Sequence, residues 1–177
     1  MSAQEARIRP ATVHDLDRVA EIFAHYVTTG VATFEEQPPT REAWRSRLAE
    51  LSEAGLPLLV ADHDGLAVGY AYVSHWRPRP AYRHTVEDSV YLSPQWTGRG
   101  LGRRLLEALL AECARAGIRQ VIAVIADTGD PASGALHRAC GFREAGRLRA
   151  VGYKRGRWID TLLMQRDLGV APPADGP

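Results

Sequence analysis

Pro94-Gln95-Trp96-Thr97-Gly98-Arg99-Gly100-Leu101-Gly102-Arg103 decides how this chain is read. It follows a run with strand character, HTVEDSVYLS over 84–93, which must stop at Pro94. It precedes an amphipathic segment with Leu101, Leu105, Leu109 and Cys113 at i, i+4 spacing, closed by Gly117. Three glycines between a strand and a helix let the backbone approach a ligand and turn its N–H groups inward. The helix start adds a partial positive charge, so the loop suits a pyrophosphate, and Arg99, Arg103 and Arg104 add to it. A dinucleotide fingerprint needs its third glycine one position later, and it should open the first strand-helix-strand unit. A phosphate loop of the Gly-Lys-Ser/Thr kind fails for want of that tripeptide. A bare turn with a helix cap needs fewer glycines.

Outward from the loop, the order of elements is regular. Residues 7–11 read as a short strand, and Thr12 with Asp15 forms a capping-box pattern ahead of Leu16, Val19, Ala20, Phe23 and Val27. A loop over 28–39 leads to Thr40, which caps a second helix carrying Trp44, Leu48 and Leu51. LLVADH and LAVGYAYVSHW flank Asp64-Gly65, a strong hairpin signal. Two prolines make 77–83 a loop. QVIAVIAD is a continuous apolar run and hence a buried strand. PASGALHRA reads as a short helix ended by Gly141, and late strands are expected over 142–149 and 158–166. The sum is an α/β (α+β) fold: one mixed sheet with helices on both faces, in a single domain over 1–169. The Pro/Gly/Ala-rich 170–177 reads as a flexible tail.

Composition narrows the function classes. The 177 residues are 45% hydrophobic and 24% charged, with a net charge of +1. No basic field argues for nucleic acid. No apolar run approaches the ~18 residues of a membrane span, and MSAQEARIRP lacks the apolar core of a secretory leader. Cys113 and Cys140 form no metal or redox pair and read as reduced thiols, so a cytoplasmic protein is expected. Lys154 is the only lysine, which argues against Schiff-base chemistry.

Gln95-x-x-Gly98-x-Gly100 resembles the Q/R-x-x-G-x-G/A loop of the GNAT acetyltransferases, and Cys140-Gly141-Phe142 after the next helix strengthens the likeness. Within that superfamily the chain resembles the phosphinothricin / methionine sulfone (sulfoximine) N-acetyltransferases. The matching stretches are Ala32–Glu35, Gly69–Ala71, Arg79–Arg83, Thr85–Tyr91, Leu136-His137 and Val151–Asp160. The resemblance implies the GNAT fold, with a mostly antiparallel seven-stranded sheet. It implies acetyl-CoA as co-substrate, no metal, a small-molecule amine as acceptor, and a homodimer. Glu87 is then the catalytic carboxylate, with His137 as candidate acid. Val90, Tyr91, Leu92, Gly98, Arg99, Gly100, Leu101, Gly102, Arg103, Asp130 and Ser133 would bind acetyl-CoA. Phe34, Glu35, Trp76, Arg77, Arg79, Tyr82, Arg83, Thr85, Val86 and Lys154 would bind the acceptor. The chain departs from the wider superfamily at Asp130, where many members carry Asn, and at His137, where many carry Tyr.

The residues alone leave several roles open. Glu87 is out of phase with Val86, Val90 and Leu92, so it faces either a cleft or solvent. His137 is a general acid or a packing residue. Arg77 and Arg79 form an anion clamp or a solvated loop. Lys154, Arg155 and Trp158 reach a neighbouring subunit or decorate a late hairpin. Other acceptors, a protein amine or an aminoglycoside, and a non-catalytic acyl-CoA sensor are the competing readings.

Overall fold

Strand alternation decides which face of the sheet each side chain meets. In β3 (Leu66–His75) and β4 (Thr85–Leu92), the antiparallel register sets Tyr70 beside Tyr91 and Gly69 beside Leu92. Tyrosines therefore share one face, and small or aliphatic side chains share the other. Helices α1 (Leu16–Thr29) and α2 (Arg41–Glu53) cover the tyrosine face. Phe23 meets Tyr91 at 5.0 Å between ring centroids, and Trp44 meets Tyr70 at 5.5 Å, both edge to face. Helix α3 (Leu101–Arg115) covers the opposite face. It lies so close that a Cβ on Gly69 would sit 3.2 Å from Leu105 Cδ1 and 2.4 Å from Leu92 Cδ2.

The structure, a computed structural model, describes residues 6–171. Adding β1 (Arg7–Pro10), β2 (Leu58–His63), β5 (Gln120–Ala126), β6 (Arg143–Lys154) and β7 (Arg157–Asp167) gives a seven-stranded sheet in the order β1-β2-β3-β4-β5-β7-β6. The short helix α4 (Ala132–Ala139) links β5 to β6. The β4/β5 pair is parallel, joined through α3, and the other pairs are antiparallel. Among the described residues no helix is long and apolar enough to cross a membrane.

The capping box forms, with the Thr12 N–H donating to Asp15 Oδ2 at 2.7 Å, but it opens a 3-10 turn (Val13–Asp15) ahead of α1. Arg9 donates to both Asp15 oxygens at 2.8 Å and to Asp62 at 2.8 Å, which fastens β1, the entry to α1 and β2 together. The late hairpin differs from the sequence expectation. β6 runs on to Lys154, past a register irregularity between Leu148 and Gly152, and turns through Arg155-Gly156. Both turn residues have positive φ, +53° and +75°, like Asp64-Gly65 at +52° and +80°. The geometry is that of a two-residue primed turn, and an Arg at its first position gives no sequence signal. The expected tail falls mostly at 172–177, outside the described residues. Its first part is fastened, since the Leu168 N–H donates to the Arg119 carbonyl and Arg119 Nη1 to the Val170 carbonyl.

Arg9→Ala strands a buried carboxylate at Asp15, which is 5% exposed. It should lower the unfolding free energy by about 1–3 kcal/mol. The denaturation midpoint reads this, and Asp15→Ala in the same chain should restore part of the loss.

Candidate active site

The site begins where a ladder ends. β4 and β5 pair through Thr85–Gln120, Val86–Val121 and Glu87–Ile122, and then part. β5 keeps its pairing to β7 through Ala126 and β4 its pairing to β3 through Leu92, so each strand bares one edge, and residues 88–92 face a gap. A cleft of about 750 Å³ occupies it. Residues 88–92 and 123–126 form its sides. Gly98, Gly100, Gly102 and Arg103 line it beyond the carboxyl end of β4, with Asp130, Ser133 and Leu136 beside them. Glu87, Tyr72, Arg47, Phe34 and Glu35 line the part nearer the start of β4. Backbone polar groups on an unladdered edge need partners, so this wall suits a ligand rich in amides.

At the glycine loop, Gly100 caps α3 with φ of +80° and brings no side chain to the first N–H groups of the helix. A Cβ on Gly98 or Gly100 would meet no protein atom within 4 Å. Left-handed backbone, not crowding by the protein, is what demands glycine at both positions. No acidic residue occupies the first turn, so nothing competes for the helix's positive end.

Glu87 lies on the tyrosine face, two residues from Ser89, and lines the cleft. Burial raises its carboxyl above the ordinary range, neighbouring Asp88 adds to this, and Arg77 opposes it. A carboxylate raised in this way is a better proton acceptor near neutral pH. Asp88 points to the other face and accepts from His137 Nε2 at 2.9 Å, with both side chains buried. His137 Nδ1 lies 2.7 Å from the Ser133 carbonyl. Both partners are acceptors, so an imidazolium satisfies both contacts. Burial disfavours that charge, but the Asp88 and Ser133 bonds outweigh it and hold His137 above its ordinary value.

The Acetyltransferase (GNAT) domain family matches residues 8–163. The chain belongs to the GNAT acetyltransferase family. It is 53% identical over 161 residues to a phosphinothricin N-acetyltransferase of Alcaligenes faecalis, covering 91% of this chain and 82% of that one. It is 40% identical over 167 residues to an L-methionine sulfoximine/L-methionine sulfone acetyltransferase of Pseudomonas aeruginosa, covering 92% and 95%. A crystal structure of a GNAT phosphinothricin acetyltransferase from Sinorhizobium meliloti, in complex with acetyl-CoA, superposes with a TM-score of 0.91 at 45% identity, covering 97% and 95%.

On this GNAT frame the structure separates the residues singled out by sequence. The cleft gathers Glu87, Val90, Tyr91, Leu92, Gly98, Gly100, Gly102, Arg103, Asp130, Ser133, His137, Phe34 and Glu35. Leu101 and Val86 are wholly buried core side chains, so Leu101 can offer a ligand only its backbone. Arg99 stacks over Trp96 with 5.7 Å to the ring centroid, and Arg104 donates to the Ala6 carbonyl at 2.8 Å, away from the loop. Arg77, Arg79, Tyr82 and Arg83 are exposed in the turn before β4, Trp76 and Thr85 are half-buried at its ends, and none of the six is among the side chains lining the cleft. Asp130 Oδ1 accepts from the Ala132 N–H at 2.9 Å and so starts α4.

Two corrections concern charge. His137 has no N–H left for a leaving thiolate, because both ring nitrogens are engaged within the chain. Lys154 is 7% exposed, and its ammonium donates to the Val27 carbonyl at 3.0 Å and the Thr33 carbonyl at 2.8 Å. It fastens the loop bearing Phe34 and Glu35 to β6, so its ammonium is engaged within the chain. Gly152 completes the clasp, because a Cβ there would lie 2.3 Å from the Phe34 ring. Arg47 and Tyr72 line the cleft but were not singled out by sequence. The pairing of Trp44 and Arg47 at i, i+3 was their one signal.

Removing one partner of a buried ion pair costs about 3–5 kcal/mol. Since the folded His137 value lies above its unfolded one, the pair's contribution is full below the unfolded value of 6.5 and is lost as pH rises through the folded value. The melting-temperature gap between the parent and His137→Gln should be widest near about pH 6 and narrow toward about pH 9. A gap that stays constant would refute the charged pair.

Proposed function

We propose that this chain transfers the acetyl group of acetyl-CoA to the amine of a small amino acid whose side chain ends in a phosphinate, sulfone or sulfoximine. Glu87 carries the reading: a half-buried carboxylate, held above its ordinary value by burial, stands where the β4/β5 ladder ends and the cleft begins. The relatives named for phosphinothricin and for methionine sulfoximine and sulfone support the acceptor class.

The backbone N–H groups at 98–103 and the start of α3 would hold the pyrophosphate, with Arg103 beside them. The free edge of β4 at 88–92 would pair with the amides of the pantetheine arm, and a backbone N–H near Leu92 would meet the developing oxyanion. Acetyl-CoA supplies an acyl thioester. The acceptor arrives mostly protonated, with an ordinary value near about 8 for an α-amine. Glu87 takes that proton, directly or through water, so that the neutral amine can attack the thioester carbon. The tetrahedral intermediate breaks its C–S bond, and the proton shed by the nitrogen neutralises the departing coenzyme A thiolate. Phe34 and Glu35, on the loop clasped by Lys154, form the opposite wall.

We further read the protein as a cytoplasmic homodimer. Cys113 and Cys140 are free and buried, as suits a reducing compartment. β6 is an edge strand, and Leu148, Val151, Tyr153 and Trp158 are exposed around the β6–β7 hairpin, Trp158 by 67%. Tyr153 and Trp158 pair across the strands at 5.0 Å. An apolar edge of this kind favours association with a second copy.

Glu87→Gln keeps the shape and removes the acceptor. It should lower kcat by about 10²–10⁴-fold at neutral pH. Acetyl-CoA affinity should be intact, and part of the rate should return at high pH, where the amine is already neutral. Unchanged kcat for a folded Glu87→Gln protein would overturn the base assignment. Light scattering at micromolar concentration should give twice the 19.4 kDa chain mass, and Trp158→Glu should shift it toward one chain.

A further inference from the structure

The acceptors proposed above carry oxygen-bearing groups as well as an amine, and these call for basic side chains within the cleft that Glu87 lines. Three cations line that cleft: Arg47, Arg103 and His137. His137 is bound to Asp88, and Arg103 donates to Glu107 at 2.7 Å beside the glycine loop. Arg47 differs from both. Among the described residues it makes no ion pair, and its guanidinium carbon sits over two rings set at 84° to each other, 4.7 Å from the Trp44 centroid and 5.3 Å from that of Tyr72. Nη1 approaches Tyr72 Oη at 3.5 Å. These cation–π contacts hold the guanidinium at the cleft wall, and its other N–H groups can meet paired oxygens.

Position supports the assignment. Tyr72 is opposite Ser89 in the β3/β4 register, and Ser89 is one same-face step from Glu87, about 7 Å along the strand. A small amino acid can therefore present its amine to Glu87 and its oxygens to the Arg47 edge at once. We infer that Arg47 is the oxyanion-binding residue of the acceptor pocket, fixing the amino-acid substrate by a carboxylate or by tetrahedral side-chain oxygens. This rests on the acetyl-transfer reading above. Arg47 acts on binding and orientation, and no proton passes through it.

The experiment compares the parent, Arg47→Met and Arg47→Lys, with phosphinothricin, methionine sulfone and the α-carboxamide of methionine sulfone as acceptors. Arg47→Met keeps an apolar stem over Trp44 and removes the charge. Its KM for phosphinothricin should rise tenfold or more while kcat changes less than threefold and acetyl-CoA affinity is unchanged. Arg47→Lys should recover only part, because an ammonium lacks the fork. An equal loss for phosphinothricin and methionine sulfone, with the carboxamide already poor in the parent, identifies the carboxylate as the ligand. A loss confined to phosphinothricin identifies the phosphinate. An unchanged KM in an Arg47→Met protein that still binds acetyl-CoA overturns the inference. A parent that acetylates none of the three overturns the functional reading instead.

Discussion

The molecule depends on a parallel strand pair that stops early. Three residue pairs join β4 to β5, and after Glu87–Ile122 the strands separate. A sheet interrupted this way would be unstable if both strands lost their neighbours. Here β5 stays bound to β7 and β4 to β3, so the gap is braced on both sides. The gap supplies a volume, an unladdered backbone edge, and a carboxylate at its vertex. The parallel pairing also requires a crossover, and that crossover is α3, whose uncapped start closes the far end of the cleft. Glycine loop, raised carboxylate and free strand edge thus follow from one topological decision.

Charge within the cleft is distributed by the two faces of β4. Asp88, on the α3 side, is bonded to the His137 ring and so anchors α4. Glu87, on the tyrosine side, has no such cation bonded to it and is left able to accept a proton. Adjacent carboxylates on one strand therefore serve different ends, because the period of two sends them to different neighbours. The His137–Asp88 bond also joins the helix beside the glycine loop to the strand bearing Glu87.

What was legible in the sequence was local. The glycine run, the Thr12/Asp15 cap and the Asp64-Gly65 hairpin each depend on residues a few positions apart, and each could be read directly. The Arg155-Gly156 turn has the same backbone geometry as Asp64-Gly65, yet arginine in a left-handed position carries no compositional mark. Long-range partners were the harder part. Lys154 meets a carbonyl 121 residues away, and nothing near it in sequence distinguishes a buried ammonium from a solvated one. The arginines of 77–83 drew attention because they cluster. Arg47 reaches the cleft alone, from a helix whose other cations face solvent, and only the packing of α2 on Tyr72 reveals it. His137 was legible as a residue of interest, but its role turned on which atoms its two nitrogens meet.

The clasp at Lys154 has a chemical corollary. A protein that handles an activated acetyl thioester is exposed to acylation of its own side-chain amines. This chain contains one lysine, and that lysine is enclosed and bonded to two carbonyls. Burial, with Arg155 nearby, lowers its value, which by itself would make the amine more nucleophilic. Enclosure offsets this, since an acylating agent must first release the 27–33 loop. The enzyme's arginine-rich surface therefore offers its own donor no exposed lysine, and reagents that couple through lysine would find no accessible lysine on the folded protein.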